Sequence, residues 1–373
     1  YKSCHIVQHG LCFFDILLAS CCFSPVDQIN GQVPPAIYKN YKGQDLSKEE
    51  LFERMGKYTS VFKNGGCPGE CENCYHIEEK DWDEEQYLDY ITITHFSKCN
   101  ADCIYCSNNT KVETRTNDMY DIMPVLKSFK EQGIIKKGCE FHIGGGEFTI
   151  YKECDEILEL FAIPNYARVF VPTNGIIYSH NLFRAMDEAT TYIIISLDCG
   201  SRKLYKKIKR VDAFNKVMDS LKKYSATQKS RDAIRLKYII VPTINDNISE
   251  FKKFLKIAKK FGIQNLIIDM DARYSRMTNF NIDSYFVNLA QEMNRIALKQ
   301  NFITEFYSFF FQNTNNKNEN KMGLFERLKK KIYFKYFNKE IKELYQYHLY
   351  GQKREKEILE QTKNETSDNN TDI

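Results

Sequence analysis

The chain has 373 residues, 43% of them hydrophobic and 27% charged, the balance of a soluble globular protein long enough to bury a sizeable core. Its formal net charge of +4 is too small to mark a nucleic-acid binder, and no nucleic acid is expected as a partner. Thirteen cysteines are many, and most fall in the first third of the chain. That uneven placement speaks against a disulfide framework and for metal or cluster ligation in a reducing compartment, so the protein is expected to be cytoplasmic.

Residues 1–87 read as a cysteine-rich region. Cys4 precedes a strand-like pair that ends at Cys21 and Cys22. The apolar stretch Leu11–Phe23 is interrupted by Asp15 and falls short of the roughly 20 residues that span a bilayer. It has neither a basic leader nor a small-residue cleavage site, so it does not read as a signal peptide. A mixed polar stretch, 31–58, contains a helix expected around Ser47–Met55, and Cys67, Cys71 and Cys74 follow in a tight group.

From residue 88 the pattern alternates between strand and helix. Strands are expected at Tyr90–His95, Cys139–Ile143, Ala167–Val171, Tyr192–Leu197, Ile234–Val241 and Asn265–Asp269. Helices are expected between them at Met119–Gln132, Cys154–Phe161, Asn181–Asp187, Ser201–Lys209, Ala213–Tyr224 and Ser249–Phe261. Repeated strand–helix units argue for an α/β fold, with parallel strands and helices outside. Six units are too few for a complete eight-unit barrel of about 250 residues. Residues 274–311 complete this body with a helix at Phe286–Lys299 and a strand or buried segment at Phe302–Phe311. A linker follows at 312–322, then a basic, aromatic helical extension at 323–360 and a disordered polar tail at 361–373. Between Lys321 and Tyr350 eight Lys or Arg stand against three Asp or Glu. Such a run can meet an anionic membrane peripherally, but an amphipathic helix packed on its own domain is the reading preferred here.

The chemistry concentrates in Cys99-Asn-Ala-Asp-Cys103-Ile-Tyr-Cys106, directly after the first strand of the alternating region. A structural zinc site takes four protein ligands, whereas a cubane iron–sulfur cluster held by three leaves one iron open to a reactant. One strand–helix unit later, Gly144-Gly145-Gly146-Glu147 ends a strand, where glycines let the backbone pass close to a ligand. The group at Cys67, Cys71 and Cys74 repeats the cysteine spacing but contains Pro68 and Gly69 and follows no strand, so the first triad is taken as the catalytic one.

The spacing Cys-x3-Cys-x2-Cys, with Tyr105 in the aromatic place, resembles the signature of the radical SAM superfamily, and Gly145, Gly146 and Glu147 resemble its Gly-Gly-Glu element. The resemblance implies a partial (β/α)6 TIM-type barrel over 88–273, flanked by the N-terminal cysteine-rich region and the C-terminal helical extension. It also implies a [4Fe–4S] cluster on Cys99, Cys103 and Cys106 whose open iron binds S-adenosylmethionine. One electron, from a donor such as flavodoxin or ferredoxin, cleaves that cofactor to a 5′-deoxyadenosyl radical, which takes hydrogen from substrate. By the same resemblance Tyr105, Gly145, Gly146, Glu147, Asn174, Ser196, Asp198 and Lys237 are candidate cofactor contacts. Cys199 is a candidate hydrogen donor or else an inert buried cysteine. Cys4, Cys21, Cys22, Cys67, Cys71 and Cys74 resemble a SPASM- or twitch-type auxiliary module and are candidates for a second [4Fe–4S] cluster, with zinc on Cys67, Cys71, Cys74 and His76 as the alternative. Peptide modification is the substrate class implied, with a sugar or glycan intermediate beside it. The other readings are a glycyl-radical-enzyme activase, and a zinc-binding interaction module with a degenerate barrel.

Overall fold

The computed structural model describes residues 2–14, 17–21, 36–66, 77–79, 81–82, 84–106, 120–271 and 284–305. Cys22, Cys67, Cys71, Cys74, the linker, the basic extension and the tail lie outside the described residues. The chain divides into two units, one made of residues 1–238 and 252–266, the other of 239–251 and 267–373.

In the first unit the strands β6 (Leu88–Ile93), β7 (Ile135–Ile143), β8 (Ala167–Thr173), β9 (Tyr192–Ser196) and β10 (Ile234–Ile240) succeed one another in chain order, each paired parallel with the next. Successive side chains of a strand face opposite ways, so every second residue shares one environment. Ile91, Phe141 and Val169 stand in register across the sheet, as do Val171, Ile193 and Ile234, and all are buried. Helices α3 (Met123–Glu131), α5 (His180–Glu188) and α7 (Phe214–Tyr224) bury Val125, Leu126 and Phe129, Leu182 and Met186, and Val217 and Leu221. Each fully buried side chain of this kind stabilises the fold by about 1.5–3 kcal/mol. On the alternate strand positions half-buried rings stack from strand to strand. Tyr90 meets His142 at 4.6 Å between centroids, His142 meets Phe170 at 4.6 Å, Phe170 meets Tyr192 at 5.6 Å, and the Arg235 guanidinium lies 4.6 Å over Tyr192. This is the parallel α/β arrangement of a partial (β/α)6 barrel.

The N-terminal region extends the same sheet. Strand β2 (Gly10–Phe13) pairs parallel with β6, while β3 (Leu17–Ala19) and β4 (Ala36–Lys39) continue antiparallel beyond it. The expected strand pair before Cys21 is therefore present as β2 and β3. A short helix, α1 (His5–His9), comes before it, and a two-stranded ribbon joins β1 (Lys2–Ser3) to β5 (Glu78–Glu79). Helix α2 (Lys48–Lys63) starts where the sequence places it, since the Ser47 hydroxyl caps the Glu50 N–H at 3.1 Å, but it runs past Met55 through Gly56. Strand β7 begins earlier than its apolar core predicts. Its exposed start, Lys136-Lys137-Gly138, carries no alternation, and the pairing with β6 shifts register between Leu88 and Tyr90. The helix at Cys154–Phe161 is present as α4 (Cys154–Ile157) running into a π turn at Leu158–Ala162.

Two further helices of the first unit are α6 (Arg202–Lys209) and α8 (Gln228–Asp232); α9 (Ile248–Lys260) and β11 (Asn265–Met270) follow β10 in the chain. In the second unit Asn245 ties a turn together, donating to Ile239 O at 2.7 Å and accepting from Val241 N–H at 2.7 Å. The helix Ser284–Leu298 leads through Asn301, at φ +63°, into β12 (Ile303–Glu305), the described part of the segment expected at Phe302–Phe311. No helix among the described residues is long and apolar enough to cross a membrane.

Candidate cluster-binding site

The cysteine loop leaves the C-terminal end of β6 with Cys99, Cys103 and Cys106 each partly exposed. Cys106 N–H closes a turn onto Cys103 O at 3.0 Å. The end of α6 holds the loop from the other side. The last carbonyls of a helix have no partner within it, and here Lys209 O accepts from Asp102 N–H at 3.0 Å and Ile208 O from Ile104 N–H at 2.9 Å. Arg210 leaves the helix at φ +56° and its guanidinium donates to the Asp102 carboxylate at 3.2 Å.

Gly144, Gly145 and Gly146 lie against the approach to this loop. Gly144 N–H donates to Ile93 O at 2.8 Å, Gly146 N–H to Phe96 O at 2.9 Å, and Glu147 N–H to Lys98 O at 2.8 Å. A Cβ on Gly145, whose φ is +79°, would stand 2.2 Å from Phe96 O, and one on Gly146 only 2.1 Å from Lys98 O. The close approach expected of these glycines is thus made, but to the chain's own backbone. The Glu147 carboxylate is buried and accepts from Thr173 Oγ1 at 2.6 Å, Asn174 N–H at 2.7 Å, Thr149 Oγ1 at 2.8 Å and Thr149 N–H at 3.2 Å. It therefore ties the end of β7 to the end of β8. Asn174, so held, extends its amide to Asn100 Oδ1 at 2.6 Å and to Cys99 Sγ at 3.7 Å. Ala101 N–H approaches the same sulfur at 3.5 Å.

Beneath the loop, Asp198 sits at φ +60° just past β9, fully buried. Its carboxylate accepts from the Tyr105 hydroxyl and from Lys209 Nζ, and the same ammonium donates to the Tyr105 oxygen. Burial, then the Asp198 charge, raises the Tyr105 phenol well above its ordinary value and keeps its proton in place. Burial disfavours the Lys209 charge, but the Asp198 carboxylate together with Cys103 and Tyr205 outweighs it, and the ammonium is held above the ordinary lysine value. Burial also raises the Cys103 thiol, against the pull of the Lys209 charge.

Ser196, the last residue of β9, is the register partner of Lys237 in the middle of β10, both half-buried, and Asp198 N–H donates to Lys237 O at 3.0 Å. Cys199 is fully buried, with its thiol turned to Leu197 O and Ser201 O, each at 3.5 Å. Of the N-terminal cysteines, Cys4 and Cys21 share one buried cluster with Ile6, Val7 and Phe62, packed against Trp82. Sequence reasoning missed Lys209 and Thr149, whereas Thr173 stands where it was expected, with Asn174 at the end of β8. For Lys209 a signal was available: Tyr205 and Ile208 mark the buried stripe of α6, and Lys209 stands four residues after Tyr205 on that stripe.

The donor set fits a cluster held by three thiolates. N–H groups already point at the Cys99 sulfur, and a buried cation lies on Tyr105, between Cys103 and Cys106. Among the described residues no three His, Cys, Asp or Glu side chains converge on one ion position. A cubane takes each thiolate at a different iron and needs no such convergence.

Residues 93–258 match the model of the Radical SAM superfamily. The chain carries a radical SAM domain. Members of this superfamily use a [4Fe–4S] cluster and S-adenosylmethionine. Over 213 residues the chain is 26% identical to the molybdenum cofactor biosynthesis protein moc-5 of Caenorhabditis elegans, a match covering 52% of this chain and 34% of that protein. Over 181 residues it is 28% identical to a probable GTP 3′,8-cyclase of Saccharolobus islandicus (strain M.14.25 / Kamchatka #1), covering 47% of this chain and 54% of the relative. The chain thus spans about half or less of the relatives it matches. Among solved structures, Streptococcus suis SuiB bound to its precursor peptide SuiA aligns at 14% identity and a TM-score of 0.47, over 72% of this chain and 56% of that one.

Proposed function

We propose that the protein is a radical SAM enzyme whose [4Fe–4S] cluster is held by Cys99, Cys103 and Cys106. The observation that carries this reading is the seating of three partly exposed thiols in a loop at the C-terminal ends of parallel strands, the end where barrel enzymes gather their chemistry. When bound, the cluster supplies the electron that cleaves S-adenosylmethionine to a 5′-deoxyadenosyl radical, which abstracts hydrogen from substrate.

The chain's own residues position that chemistry. Glu147 fixes Asn174, and the Asn174 amide with the Ala101 N–H supports negative charge on the Cys99 sulfur. Gly145 and Gly146 let the end of β7 lie directly on the loop approach. Ser196 at the end of β9 and its register partner Lys237 within β10 are the polar groups offered to the cofactor's ribose and carboxylate. Asp198, which the family resemblance gives the same task, spends its carboxylate on Lys209 and Tyr105 instead.

The electron comes from a small one-electron carrier such as flavodoxin or ferredoxin. The substrate is a peptide or a sugar or glycan intermediate; the names of the relatives in molybdenum cofactor synthesis and GTP cyclisation add a purine nucleotide. A second cluster on the N-terminal cysteines Cys4, Cys21, Cys22, Cys67, Cys71 and Cys74 belongs to this reading, supported by their number and by the spacing of Cys67, Cys71 and Cys74. To test the proposal, anaerobically reconstituted protein is reduced with S-adenosylmethionine present and 5′-deoxyadenosine is quantified. The wild type is expected to release it and Cys103→Ala to release none. No release from reduced, iron-replete wild type contradicts the reading.

A further inference from the structure

We infer that Lys209 is a positioning residue for the cluster: its buried ammonium pins Tyr105 and Asp198 beneath the cysteine loop and holds a fixed positive charge against Tyr105, between Cys103 and Cys106. The inference rests on the reading that Cys99, Cys103 and Cys106 hold the cluster.

Three observations lead to it. Lys209 and Asp198 form an ion pair whose side chains are 1% and 0% exposed. A buried pair of this kind must be closely satisfied, because removing one partner strands the other charge without water. Here the third member is Tyr105, a residue of the cysteine motif itself, so satisfying the pair and ordering the motif are the same event. Next, the backbone of Ile208 and Lys209 accepts the N–H groups of Asp102 and Ile104, so this end of α6 grips the loop by main chain and side chain together. Finally, the Lys209 ammonium donates to the Tyr105 hydroxyl and lies 5.0 Å from the centroid of that ring, which places a buried cation against the residue that stands between Cys103 and Cys106. A cation fixed there favours the electron-richer state of a cluster bound to Cys103 and eases its reduction.

The test compares wild type, Lys209→Met, Lys209→Arg and the doubly neutral Lys209→Met/Asp198→Asn after identical anaerobic reconstitution. Iron per chain and the midpoint potential of the cluster are measured, with thermal unfolding of each apo chain alongside. Lys209→Met is expected to lose at least half of the iron held by the Cys99, Cys103 and Cys106 site, and Lys209→Arg to keep most of it. The double variant has no stranded charge, so it decides the matter if Lys209→Met does not fold. Its remaining cluster is expected to be harder to reduce than the wild type's. A double variant with wild-type iron and wild-type potential overturns the inference. Replacement of all three cysteines by Ala separates the two claims. If that change removes no iron, the cluster assignment has failed; if it removes iron while the Lys209 variants match wild type, only the role of Lys209 has failed.

Discussion

Gly146→Ala tests how the loop is held. The added methyl would lie 2.1 Å from Lys98 O and 2.8 Å from the carbonyl carbons of Ser97 and Lys98, backbone atoms that cannot swing aside. Relieving an overpacked contact of this kind costs about 1–3 kcal/mol. Moving the strand end away also breaks the bonds from Gly146 N–H to Phe96 O and from Glu147 N–H to Lys98 O, each contributing about 0.5–1.5 kcal/mol. The total is about 2–6 kcal/mol, against the roughly 5–15 kcal/mol by which a domain is stable. Gly133→Ala is the matched control, since Gly133 has φ +68° with nothing within 4 Å of a new Cβ. It meets only left-handed backbone strain, roughly 1–2 kcal/mol. Circular dichroism melts of the apo chains, followed by iron uptake, make the comparison. Gly146→Ala should melt well below Gly133→Ala and load less iron. Equal melting of the two would refute the reasoning.

Glu147→Gln keeps the size of a side chain that accepts four hydrogen bonds but turns an amide NH2 toward donors, so a loss of about 2–4 kcal/mol in urea unfolding is expected; a loss below about 0.5 kcal/mol contradicts the role assigned to the carboxylate. Burial between Tyr90 and Phe170 lowers the His142 pKa, with Glu140 opposing. The unfolded chain therefore binds this proton more readily. The stability that neutral His142 contributes is full above about pH 6.5 and is lost as pH falls from there toward the depressed folded value. His142→Phe should flatten that acid-side slope in urea midpoints; an unchanged slope counts against it. Gly56 lies inside α2 with open space around a new Cβ, and Gly56→Ala should raise stability by about 0.5–1 kcal/mol, whereas a lower melting point would show a missed contact.

The parallel strands were legible because their apolar residues recur at the right period and stop at turn residues, as at Thr173-Asn174-Gly175. Ends were less so. The exposed Lys136-Lys137-Gly138 joins β7 through pairing alone, a long-range fact that local pattern does not carry. The parallel pairing of β2 with β6 is equally non-local, so residues 1–87 read as an appendage although three of their strands belong to the sheet. In the site, the cysteine spacing pointed to the loop, and the glycines to a close approach whose partner only the structure names. Lys209 was hidden by composition, as one lysine in the basic helix Arg202-Lys-Leu-Tyr-Lys-Lys-Ile-Lys209. Its burial follows from Asp198, eleven residues away in sequence, entering the same pocket.

The most direct test of the account is iron and acid-labile sulfide in anaerobically reconstituted wild type against the variant with Cys99, Cys103 and Cys106 all changed to Ala. The account predicts that the variant holds about four fewer irons per chain, with any iron that remains assigned to the N-terminal cysteines. Equal iron in the two proteins would contradict it, because the cluster would then be held elsewhere.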